Sequence, residues 1–260
     1  MDRRTFMGMT GAAGMGMAAA MGATAHAAGA TARETYELMR LDVDTDAQRD
    51  ALLTFFRDVA IPALNRLESK PVGLFRTPDA PGPLFVLIPY GSANAFAGTL
   101  ERLMQDEHFV NDGASIHNAP ADAPAYTNIH IALLAAIAGM PKIELPVTSP
   151  GRVVQLRIYE SPSFPAGQKK IEMFNLHELA LFRKVGLNPV FFGEALAGDK
   201  LPNLTYMLMF ESREEQDAAW KRFVNSEEWN KLKNIPEYMD KVLIRHITNL
   251  NIVPAEGSQI

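Results

Sequence analysis

MFNLHELALFRKVGLNPVFFGEALAGDKLPNLTYMLMF, residues 173–210, decides how the rest of the chain is read. Phe174, Leu181, Phe182 and Val185 recur at helical spacing, together with Ile171 just upstream. Gly186 follows as a turn. Asn188–Glu194 and Asn203–Phe210 are strand-like runs joined by a Gly-containing loop. A helix followed by two neighbouring strands is the middle of a βαββαβ unit. The flanks supply the remainder. Upstream, Val153–Glu160 alternates, with Val154, Leu156 and Ile158 on one face and Gln155, Arg157 and Tyr159 on the other. The helix is expected to begin near Pro165, a residue tolerated in a first turn. Downstream, Ser212–Trp229 is an amphipathic helix opened by a Ser212/Glu215 capping box, and Val242–Ile252 is a last strand.

The same order occurs earlier in the chain. Tyr36–Leu41 is an alternating strand. A helix follows, with Thr45 and Gln48 as a capping box and Leu52, Phe55, Phe56 and Val59 on its apolar face. Pro71–Arg76 and Pro83–Tyr90 are strands. Ser92–Phe109 aligns without a gap to Ser212–Trp229, pairing Leu100 with Trp220, Leu103 with Phe223, Met104 with Val224 and Phe109 with Trp229. Asp106 and Ser226 would each cap a short extra turn, and Ala125–Leu133 is the closing strand. The fold class is therefore α+β, with tandem ferredoxin-like (βαββαβ) repeats over residues 33–147 and 151–260. Their sheets cover each other to form an α+β barrel, because a lone unit would leave one sheet face bare. Ile137–Arg152, rich in Pro and Gly, is the expected linker.

Composition narrows the function classes. An apolar fraction of 47% against 21% charged residues suits a sizeable core. A formal charge of −5 and a pI near 5.7 exclude a binder of phosphate backbones, so no nucleic-acid partner is expected. The absence of cysteine excludes disulfides, thiolate metal sites and thiol nucleophiles. At the N-terminus, Arg3-Arg4 precede Phe6, a Gly/Ala/Met run extends from Gly8 to Ala25, and Ala25-His26-Ala27 gives a cleavage pattern. Residues 1–27 thus read as a twin-arginine signal peptide, which would place the mature protein in the periplasm or otherwise outside the cytoplasm. The run contains no Leu or Ile, which disfavours its retention as an anchor, and no later segment is expected to span a membrane.

The motifs of the second repeat resemble the NIPSNAP family. They are Leu156-Arg157-Ile158-Tyr159-Glu160; Met173-Phe174-Asn175 with Glu178 and Phe182; Pro189-Val190-Phe191-Phe192-Gly193-Glu194; Pro202–Leu208; and Trp220 with Phe223. The ending Ser258-Gln259-Ile260 is similar to that of exported bacterial members. The first repeat departs from these motifs, with Met39 where the second has Arg157. The resemblance implies an α+β barrel of the ferredoxin-like superfamily, whose wider membership includes haem enzymes and cofactor-free monooxygenases. It implies no reaction.

The second repeat is accordingly where the sequence directs the search for a ligand site. Arg157, Glu178 and Tyr206, with Tyr159 and Asn175, form a candidate polar set against an aromatic wall of Phe174, Phe191 and Phe192. Glu178 falls on the apolar stripe of its helix, so it needs a partner. It reads as a pocket acid beside Arg157 and Tyr206, as half of a structural ion pair, or as a snorkelling surface acid. A haem, the one cofactor the superfamily suggests, would want His177 or His246 as ligand; no clustered histidine motif marks a metal site. Three functions follow: a module holding a small hydrophobic or planar molecule, a monooxygenase- or peroxidase-like oxidoreductase using the same pocket, or a structural and interaction protein. Self-association through edge strands is a further expectation.

Overall fold

The strands are β1 (Thr35–Asp42), β2 (Gly73–Arg76), β3 (Leu84–Tyr90), β4 (Asn128–Ala136), β5 (Val153–Glu160), β6 (Asn188–Ala197), β7 (Asn203–Phe210) and β8 (His246–Pro254). In the computed structural model, which describes residues 32–79 and 81–260, they close into a barrel in the order β1-β3-β2-β8-β5-β7-β6-β4. The expected signal peptide, residues 1–27, lies outside the described residues. Every pairing is antiparallel. The two halves contribute strands in matching order, β4-β1-β3-β2 and β8-β5-β7-β6. Registers match as well: Thr35 faces Tyr90 as Val153 faces Phe210.

Strand alternation gives each sheet two buried faces. One face points into the barrel, which is filled by Tyr36, Leu38, Phe75, Phe85, Leu87, Leu156, Phe191, Met207 and Met209 among others. The other face carries helices. In the first half these are α1 (Asp46–Phe55), α2 (Ile61–Arg66), α3 (Ala93–Ala97), α4 (Thr99–Leu103), α5 (Glu107–Asp112) and α6 (Ala114–His117). In the second they are α7 (Phe164–Met173), α8 (Leu179–Val185), α9 (Arg213–Asn225), α10 (Glu227–Leu232) and α11 (Asp240–Leu243). None of the described helices is long and apolar enough to cross a membrane.

Local chemistry explains the helix ends. Thr45 and Gln48 form the expected capping box, and Ser212, Asp106 and Ser226 each accept from a backbone N–H as N-caps. Gly186 ends α8 in the left-handed conformation, at φ 83°, that L side chains avoid.

Four details differ from the sequence expectation. Ser92–Phe109 is not one helix: it breaks at Gly98 between α3 and α4, where glycine's backbone freedom weakens a helix interior. The closing strands start late, β4 at Asn128 instead of Ala125 and β8 at His246, with Val242 in α11. The expected linker is packed. Ile137 and Met140 are buried, the Ile137 N–H donates to Phe192 O, and the Glu144 N–H donates to Val190 O. Finally, each long helix contains a π turn, Phe56–Ala60 between α1 and α2 and Phe174–Glu178 between α7 and α8. The two turns sit at corresponding positions of the two halves.

Candidate functional site

The second half places most of its predicted residues in one closed layer between sheet and helices. Tyr159, Phe174, Phe192 and Tyr206 are buried and mutually packed, with the Phe192 and Tyr206 rings stacked at 4.6 Å. The Tyr206 hydroxyl donates to the Tyr159 hydroxyl at 2.8 Å, and Arg157 donates to Tyr159 at 3.0 Å. Burial pushes the Tyr206 hydroxyl well above its ordinary range. The Arg157 guanidinium lies 4.6 Å from the Trp220 ring centroid, a cation–π contact, and Trp220 Nε1 donates to Gln155 Oε1 at 2.8 Å.

Glu178 takes the structural alternative. It is 2% exposed and accepts from Lys170, itself 1% exposed, at 3.0 Å. Burial pushes the Glu178 carboxyl up, and Lys170 opposes that rise. For Lys170, burial acts downward and is outweighed by the Glu178 carboxylate, with Asp240 adding at 3.8 Å, so its ammonium is held above its ordinary value. Lys170 escaped the sequence reading because it lies eight positions before Glu178, off the face of a regular helix. The π turn absorbs one residue, so the eight positions behave as about seven, two full turns.

Two predicted residues lie elsewhere. Phe191 faces the barrel interior, where it meets Tyr36 edge-on at 5.2 Å, while its neighbour Phe192 faces the helices, as strand alternation requires. Asn175 turns outward and accepts from the Gly139 N–H at 2.8 Å, pinning the segment between the halves. His177 and His246 are exposed, and His177 packs against Tyr238. Among the described residues no group of His, Asp and Glu is arranged to hold a metal ion.

The open space is in the first half. A cavity of about 660 Å³ lies between its sheet and its helices, lined by Met39, Leu52, Phe55, Phe56, Leu103 and Phe109 among others. Two acidic or phenolic groups face it from the sheet. The Tyr90 hydroxyl donates to Glu37 Oε2 at 2.8 Å, and both side chains are buried. Burial pushes the Glu37 carboxyl above its ordinary value, with the Tyr90 hydrogen bond opposing. The rim is apolar: Leu100 is 67% exposed and Met104 51%. No single residue type in the sequence announces this cavity.

A chain that closes an α+β barrel by itself, with a helix–sheet pocket in one half and a packed layer in the other, defines the class. Within it, residues 154–259 match the NIPSNAP family model. The first half lies outside that match. Three solved structures share the barrel. One is a protein from Fusobacterium nucleatum provisionally designated a monooxygenase, with TM-score 0.59, 8% identity, and coverage of 87% of this chain and 94% of that one. A second, of the same provisional designation, is from Lactobacillus acidophilus, with TM-score 0.58, 10% identity and coverage of 86% and 94%. The third is an anthrone oxidase-like protein, with TM-score 0.52, 10% identity and coverage of 87% and 95%. At such identities the likeness is one of fold. No curated protein matches the chain.

Proposed function

We propose that this protein binds a planar, largely apolar small molecule in the cavity of its first half. The observation that carries the reading is the 660 Å³ space itself, walled by aliphatic and aromatic side chains and floored by one buried carboxyl–phenol pair. Apolar clefts of several hundred Å³ with a few convergent polar groups are what small-molecule sites look like. The second half supplies rigidity: its corresponding layer is filled by Tyr159, Tyr206 and Trp220. Binding of the fluorescent dye anilinonaphthalene sulfonate tests the assignment. Wild type is expected to enhance the dye's fluorescence and Leu100→Trp, which places at the rim the residue that seals the other half, to lose that enhancement. Equal enhancement by both proteins would refute the location.

A second reading, oxidation of the bound molecule, is favoured by the buried acid at the cavity floor, which could serve proton transfer, and is compatible with the designations of the proteins sharing this barrel. Anthrone with dioxygen is the substrate to try. Conversion to anthraquinone and water, faster with wild type than with Glu37→Leu, would support it, and equal rates would remove it.

We further propose that residues 33–147 and 151–260 are tandem ferredoxin-like repeats, a reading supported by the matching strand orders of the two halves. Residues 1–27 are proposed as a cleaved twin-arginine leader, supported by Arg3-Arg4 and Ala25-His26-Ala27. Replacing both arginines by lysine should leave uncleaved protein in the cytoplasm; unchanged export would dismiss the proposal.

A further inference from the structure

We propose that the cavity selects a ligand bearing a carbonyl oxygen, such as a fused-ring aromatic ketone, and that Glu37 is the residue that reads it. The inference rests on the cavity as the binding site and adds the chemical class of its occupant.

Several polar atoms of the lining are already used. Thr99 Oγ1 donates to Ala95 O at 2.7 Å. His117 Nε2 is engaged with Phe109 O at 3.0 Å. The Tyr90 hydroxyl gives its hydrogen to Glu37 Oε2. Glu37 Oε1 has no hydrogen-bond partner among the described residues, although the side chain is only 6% exposed and lines the cavity. Tyr126, at the rim, is 37% exposed and can be satisfied by solvent.

The direction of that free group follows from its neighbour. Oε2 is the acceptor of the Tyr90 hydrogen, so when the carboxyl is protonated its own hydrogen sits on Oε1. In that form the cavity is offered one O–H donor from its sheet side, in a lining that is mainly apolar. A hydrocarbon would leave that donor unpaired, which is costly in a dry site. A ligand with a carbonyl acceptor would satisfy it, and a rigid aromatic framework would lie against the wall that Phe55, Phe56 and Phe109 present to the cavity. The second half has nothing comparable. Its corresponding position is Gln155, already occupied by the indole N–H of Trp220.

The full chain can be tested with a matched pair of probes, fluorenone and fluorene, which share a ring system and differ in the carbonyl. Both would compete with bound anilinonaphthalene sulfonate. Wild type should bind fluorenone about tenfold tighter than fluorene, the worth of one buried hydrogen bond. Glu37→Leu combined with Tyr90→Phe, which leaves no orphaned phenol, should bind both probes equally. Glu37→Gln should keep the preference, since its amide can donate into the cavity while its carbonyl accepts from Tyr90. Equal affinities in wild type, or a preference that survives the Leu/Phe double variant, would overturn the assignment of Glu37 while leaving the cavity as a site. Failure of the dye and of both probes to bind wild type would overturn the cavity as well.

Discussion

The same layer, between sheet and helices, is solid in one half of this molecule and hollow in the other. Taking Thr35 with Val153, and Phe56 with Phe174, as corresponding points, the exchange is systematic. Arg157 corresponds to Met39, Tyr159 to Leu41, Lys170 to Leu52, Glu178 to Ala60, Tyr206 to Val86 and Trp220 to Leu100. Each of these six polar or aromatic side chains meets a smaller or apolar counterpart. Phenol, indole and guanidinium groups become methyl and methylene groups on an unchanged backbone plan, and the missing volume collects as the cavity. The helix break at Gly98, where α9 runs on unbroken through Ala218, leaves Leu100 at the rim with no equivalent of the Trp220 seal. What differs is the filling: the layer between sheet and helices is packed with aromatic and charged side chains in one half and left open in the other.

The packed layer is most sensitive at its buried ion pair, Lys170 with Glu178. Lys170→Leu alone should destabilise the fold by about 3–5 kcal/mol, because it strands a buried carboxyl. Adding Glu178→Ala, which installs the Leu52/Ala60 pair of the first half, should recover most of that loss. Guanidinium unfolding of the single and double variants measures both, and a double variant as unstable as the single one would show that the halves are not interchangeable here. Trp220→Leu, the counterpart of Leu100, should cost about 2–3 kcal/mol and open dye-accessible space in the second half. A stability loss with no new dye binding would mean that the layer collapses onto the gap. Arg157→Met should cost about 1–2 kcal/mol, the worth of a largely buried cation–π contact, in the same unfolding assay.

The smallest effect concerns pH. Burial raises the Glu37 carboxyl in the folded state above its ordinary 4.5, so the folded protein binds more protons than the unfolded chain. Stability from this group is therefore fully present below about 4.5 and lost as pH rises through the folded value. Relative to Glu37→Gln, which cannot titrate, wild type should become progressively less stable on going from pH 4 toward neutrality, the window ordinary carboxylates define. A constant difference across that range would place the Glu37 carboxyl at its ordinary value.

Patterning made much of this architecture legible. Alternation in Val153–Glu160, caps at Thr45, Asp106, Ser212 and Ser226, and the gap-free correspondence of Ser92–Phe109 with Ser212–Trp229 each follow from local chemistry that repeats in the structure. The cluster of Arg157, Tyr159, Phe174, Phe192 and Tyr206 was legible for the same reason. Lys170 was not, because a π turn has no composition of its own and shifts every later residue on the helix by one. Nor was the cavity. It is a deficit of volume summed over β1, β3, the long helix and the broken one, and no single position records it. Motif density pointed to the second half because its polar and aromatic side chains are distinctive, whereas the residues that make room are common aliphatics.

The closing seam bears on how the chain comes to be folded. Strand β8 joins β2 at only two positions, Phe75 with Pro254 and Arg76 with Val253. Beyond it, Gln259 and Ser258 hydrogen-bond to Val72 and Leu74, and Ile260 is buried in the barrel core with its carbonyl held by Arg152 at 2.7 Å. During synthesis, β1, β3 and β4 emerge before β8 and can pair, yet the interior they face is enclosed only when residues 246–260 complete the wall and stopper its end. The barrel is thus a vessel sealed at its β2–β8 seam, and until that seal is set the first half holds its cavity on an unfinished wall.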